Sequence, residues 1–65
     1  MGPAAFILRE IDLRNLDISG ARLNALVKEY KALIRDIGRA TARDMMREKL
    51  DTLEWSAVAA LMLAV

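Results

Sequence analysis

The chain has 65 residues, 55% of them hydrophobic and 29% charged, with a net charge of +1 and neither cysteine nor histidine. That is room for one small domain at most. The absent residue types exclude a thiolate nucleophile, an imidazole base, a disulfide framework and a zinc site of the usual nitrogen and sulfur kind, so no cofactor, no metal and no enzymatic activity are expected. With the three glycines counted as apolar, 39 of 65 residues belong to that class, or about 60% against roughly 45–50% for an ordinary soluble domain. A chain this small buries only about 60% of the surface its unfolded form exposes, so apolar surface is left over for a partner.

Residues 4–14 carry two patterns. Ile11-Asp12-Leu13-Arg14 alternates as a strand does, whereas Ala4, Ile7, Leu8 and Ile11 fit one helical face. Pro3 suits the first turn of a helix, and a short helix over 4–14 is the reading adopted. The eight N-terminal residues lack the basic start and long apolar core of a secretory signal, which makes the cytoplasm the expected location. Asp12-Leu13, Asp17-Ile18 and Arg22-Leu23 recur every five residues and resemble pentapeptide repeats, but three loose copies are too few to build a solenoid.

Residues 20–37 hold the clearest periodicity. Leu23, Leu26, Val27, Tyr30, Leu33, Ile34 and Ile37 follow the i, i+3, i+4, i+7 spacing of an amphipathic helix. Asp17 or Ser19 is placed to cap its start, and Gly38 to end it. Lys28, Lys31 and Arg35 lie on one flank of the apolar stripe, Glu29 and Asp36 on the other. Opposed flanks suit pairing with a second helix.

Thr41 followed by Asp44 resembles a capping box and predicts a second long helix over 42–64. Its face of Ala42, Met46, Leu50, Leu53, Ala57, Ala60, Leu61 and Ala64 is the expected partner of the first stripe in an antiparallel hairpin. The competing arrangement is one continuous helix from 20 to 65 with Gly38 tolerated inside it. A further stripe, Trp55, Val58, Met62 and Val65, starts where the charges stop, on a different side of the same helix. A helix apolar on more than one side must be covered on more than one side. Ser56, Ala60 and Ala64 add small residues every four positions, which lets another backbone approach. The uncharged run of 11 residues from Trp55 to Val65 is about half the length that crosses a bilayer, which disfavours a membrane span.

The near-zero net charge conceals a basic centre. Residues 22–47 carry seven basic groups against three acids. Lys31, Arg35, Arg39, Arg43 and Arg47 recur at intervals of four and on an unbroken helix would form a ridge about 24 Å long. Such a ridge could meet an acidic protein or neutralise phosphates, although Asp36 and Asp44 are spaced to pair with Arg39 and Arg47. Glu48 and Asp51, one turn apart among basic neighbours, suit a solvated face better than paired acid and base chemistry. Met45 and Met46 fit gap-filling or an adaptable binding surface equally well.

Two family resemblances bear on these readings. Gly38-Arg39-Ala40-Thr41 resembles the turn before the second helix of ribbon-helix-helix repressors, which implies a strand that reads DNA bases. The segment in the strand position offers Glu10 and Asp12 beside Arg14, and carboxylates there would be repelled by phosphate. Ile11-Asp12 and Leu16-Asp17 are similar to a pattern in the first helix of helical chorismate mutases, which implies several basic side chains holding a dicarboxylate. Thr41 stands where that family's pattern expects a lysine, and the family's remaining third helix is absent.

The expectation is therefore an all-α fold: a helical hairpin with a short N-terminal helix, completed by dimerisation into a helix bundle. Its expected function is non-enzymatic, a protein-interaction or regulatory module that homo-oligomerises through Trp55, Val58, Leu61, Met62 and Val65 and binds a protein partner. Its alternatives are a small nucleic-acid-binding regulator using Lys31, Arg35, Arg39, Arg43 and Arg47, and an amphipathic binder of anionic membrane surfaces.

Overall fold

The computed structural model describes residues 1–64; Val65, the last member of the C-terminal stripe, lies outside them. Three helices follow in order: α1 (Pro3–Leu13), α2 (Gly20–Ile37) and α3 (Arg39–Ala64). The described residues contain no strand, so the all-α expectation holds and the alternation at residues 11–14 does not form one.

Pro3 occupies the first turn of α1, where its missing N–H leaves no intrahelical bond unmade. The helix closes on a Schellman motif. Asn15 adopts a left-handed φ of 52°, Leu16 N–H donates to Ile11 C=O at 3.2 Å, and Asn15 N–H donates to Asp12 C=O at 3.1 Å. Asn tolerates this conformation better than most residues, and the turn brings Leu16 and Ile18 onto the core. The helix thus ends at Leu13, one residue before the expected boundary.

Of the two candidate caps for α2, Ser19 is the one used: its Oγ accepts from Arg22 N–H at 3.2 Å. Gly38 ends the helix with φ 88° and ψ 160°, a region essentially reserved for glycine. Its N–H donates to Ile34 C=O, and its own C=O accepts from Ala42 N–H, each at 3.0 Å. A single residue closes one helix and opens the next. For that reason α3 begins at Arg39 rather than at 42, and Thr41 and Asp44 sit within its first turns. The continuous 20–65 helix is excluded by the same break.

A one-residue connection makes the hairpin register symmetrical about Gly38. Leu26 and Leu50 each stand twelve residues from it, Tyr30 and Met46 eight, Ile34 and Ala42 four, and all six belong to the core or pack against it. Tyr30, Met46 and Leu50 are almost fully buried, as is Ile7 from α1. Phe6 meets Tyr30 with ring centroids 4.9 Å apart and planes tilted by 33°. Lys49 Nζ donates to Glu29 Oε2 at 2.6 Å, which joins the α2 acidic flank to α3. The α1 helix runs parallel to α3: Arg39 reaches Met1 C=O, Arg47 reaches Glu10 and Arg14 reaches Asp51, separations of 38, 37 and 37 residues.

Symmetry about Gly38 also dictates where the packing stops. α2 has 18 residues and α3 has 26. The last eight residues of α3, about 12 Å of helix at 1.5 Å per residue, therefore have no α2 beside them. The molecule is accordingly elongated, with principal extents of 42 × 21 × 17 Å.

Candidate interaction surface

The overhang gathers several exposed apolar residues outside the core. Every residue from Trp55 to Ala64 is exposed, Trp55 and Met62 at 74%, Leu61 at 70% and Val58 at 41%. Of the expected hairpin face, Ala42, Met46 and Leu50 are buried and Leu53 is half-buried, while Ala57, Ala60, Leu61 and Ala64 lie beyond the end of α2 and stay exposed. No charged residue occurs after Glu54. An exposed helix without charge loses little hydration when another apolar surface covers it.

The body from which the overhang projects is fastened by a network that periodicity does not reveal. Glu10 stands among the apolar residues of α1 and is only 6% exposed. Its Oε1 accepts from Arg47 Nε at 2.8 Å and from Arg14 Nη1 at 3.4 Å. Arg14 Nε also donates to Asp51 Oδ1 at 2.7 Å and lies 3.9 Å from Glu54 Oε2. Burial alone would lower the Arg14 pKa, yet the hydrogen bonds and charges of Asp51 and Glu10 raise it above its ordinary value. The sequence signal for this network was a charged pair, Glu10 and Arg14, spaced one turn apart on the same face as Ile7 and Ile11. A charge on an apolar face predicts a buried partner.

The basic residues do not form one ridge. The break at Gly38 leaves Lys31 and Arg35 on α2, both exposed, and places Arg39, Arg43 and Arg47 on α3. Arg39 donates to Met1 C=O at 3.3 Å. Arg43 and Arg47 lie over the Phe6 ring, their guanidinium carbons 5.6 and 5.3 Å from its centroid. Each such contact contributes about 0.5–2 kcal/mol, depending on how far water is excluded. Arg9, from α1, joins these two around a recess that sequence reasoning did not anticipate. Its place there follows from the parallel packing of α1 on α3, which no local spacing encodes.

Among the described residues no group of His, Cys, Asp or Glu side chains is placed to hold a metal ion. No described helix is long and apolar enough to cross a membrane. Comparison with known protein families, characterised proteins and solved structures finds no match to this chain.

Proposed function

We propose that the chain is a non-enzymatic interaction module that pairs with a second copy of itself through the overhanging end of α3. The observation that carries this reading is the exposed, charge-free segment from Trp55 to Ala64: residues 57–64 extend past the end of α2, and Trp55 faces away from it. The segment is self-complementary. Two overhangs crossing antiparallel about Val58 set Trp55 of one copy opposite Leu61 and Met62 of the other, where a thioether against an indole adds a favourable contact. One two-fold axis then satisfies both chains with the same patch.

Pairing at this end leaves α1 and the basic residues free. The dimer would present two copies of the helical body, one at each end, to a protein partner. Burial of apolar area drives the pairing, and no chemistry is involved. Sedimentation of the full chain at micromolar concentration tests the reading: a species of twice the monomer mass is expected, and a well-folded chain that stays monomeric overturns it.

A further inference from the structure

We propose that Arg9, Arg43 and Arg47 form a binding site for a phosphate monoester, with the ester's apolar body lying against Leu13. The site is a recess of about 290 Å³ between α1 and α3, lined by these three arginines together with Met1, Phe6, Glu10 and Leu13. Three arginines line it, against a single acidic residue. Glu10 is already committed to Arg47 and Arg14. Arg9 and Arg43 make no ion pair among the described residues, and the Nε of Arg43 is buried without an acceptor. Two positive charges without an ion partner are thus left for a ligand to satisfy.

The number of free charges selects the ligand. A carboxylate brings one charge and two oxygens, whereas a phosphate monoester brings close to two charges at neutral pH and three terminal oxygens. Planar guanidinium forks fit those oxygens pairwise. The Phe6 ring lies against the Arg43 and Arg47 guanidinium groups before any ligand arrives, which reduces the ordering that binding requires. Leu13, 67% exposed at the rim, offers an apolar surface for the rest of the molecule. A nucleic-acid phosphodiester carries one charge per phosphate and matches the recess less well. The site lies within one chain, away from the α3 overhang, so it does not depend on pairing.

The test is a titration of the full chain at low salt with phenyl phosphate, followed by amide chemical shifts. Benzoate, inorganic phosphate and a short single-stranded oligonucleotide serve as parallel probes. Saturable binding is expected for phenyl phosphate, about tenfold tighter than for benzoate and tighter than for inorganic phosphate, which lacks the apolar body. Arg9→Gln should weaken phenyl phosphate roughly tenfold without altering the circular dichroism spectrum, because Arg9 makes no internal contact through its charge. Arg43→Lys, which keeps the charge and removes the planar guanidinium fork, should weaken it several-fold. The proposal is overturned by the absence of saturation at millimolar phenyl phosphate, by equal binding of benzoate, by an unaffected Arg9→Gln variant, or by tighter binding of the oligonucleotide.

Discussion

Replacing Trp55 by glutamate separates association from folding. In the single chain the indole is 74% exposed, so its loss removes few internal contacts and should cost less than about 0.5 kcal/mol of folding stability. In the pair the same side chain is covered. Full burial of a large apolar side chain contributes about 3 kcal/mol, and three-quarters of that is still available here, about 2 kcal/mol per copy. Two-fold symmetry doubles it to about 4 kcal/mol per dimer, close to a thousandfold in the dissociation constant. The carboxylate adds to the loss by entering an apolar contact. Sedimentation equilibrium should therefore show a dimer for the natural chain and a monomer for Trp55→Glu across the micromolar range. Thermal unfolding should depend on concentration for the first and not for the second. Ser56→Glu, about 100° round the helix from Trp55 and off the stripe of Trp55, Val58 and Met62, should pair like the natural chain. Normal association of Trp55→Glu, or loss of the dimer in Ser56→Glu and not in Trp55→Glu, would refute pairing through the Trp55 stripe.

Other outcomes follow from the body of the molecule. Leu50→Ala, at a site with no exposed surface, should lower stability by about 2–5 kcal/mol in denaturant unfolding, and a smaller loss would show that the core relaxes around the vacancy. Glu10→Gln should cost about 1–3 kcal/mol because Arg47 and Arg14 keep their charges without the carboxylate; in a double-mutant cycle with Arg47→Met the two losses should be less than additive. Gly38→Ala should cost about 1–3 kcal/mol, through backbone strain alone since nothing lies within 4 Å of the added carbon. Gly38→D-Ala, made by synthesis, should cost little because the mirror residue accepts that φ. Arg14 has its pKa raised by folding, so its stabilising contribution is fully present below the ordinary arginine value and is lost only as pH rises through the raised one. With no histidine or cysteine in the chain, the thermal midpoint should then stay flat between about pH 6 and 9.

The parts of this structure that were legible in the sequence are those decided by neighbours along the chain. The α2 stripe, the Ser19 cap and the stop at Gly38 are all local, and each appears where periodicity and capping chemistry put it. The capping-box pattern sets the start of α3 at 42, three residues late, because it assumes that a side chain must satisfy the first turn. Here the Gly38 carbonyl accepts from Ala42, and Thr41 is left with no cap to make. The end of α1 was hidden for a related reason, since Asn15 rather than glycine takes the left-handed position. Glu10 with Arg14, and Arg47 with Asp51, are two pairs four residues apart, and the chain holds several others like them. Only the parallel packing of α1 on α3 selects which pairs meet.

The apolar surplus and the divided basic ridge have a common origin in where Gly38 falls. Because the hairpin turns on that one residue, α2 can cover α3 only as far as the mirror of Gly20, which is position 56. Chain beyond that point is uncovered whatever its composition, and here it is free of charge. The same turn carries Arg39, Arg43 and Arg47 away from Lys31 and Arg35 and onto the side where α1 packs, so that Arg9 completes their group. Moving the glycine four residues toward the C-terminus, with α2 lengthened to match, would shift the register and extend the cover to position 64. Such a redesigned chain would cover Ala57, Ala60, Leu61 and Ala64 with its own α2 but leave Trp55, Val58 and Met62 exposed on the other side of α3, as Trp55 already is beside α2, and it should therefore still pair.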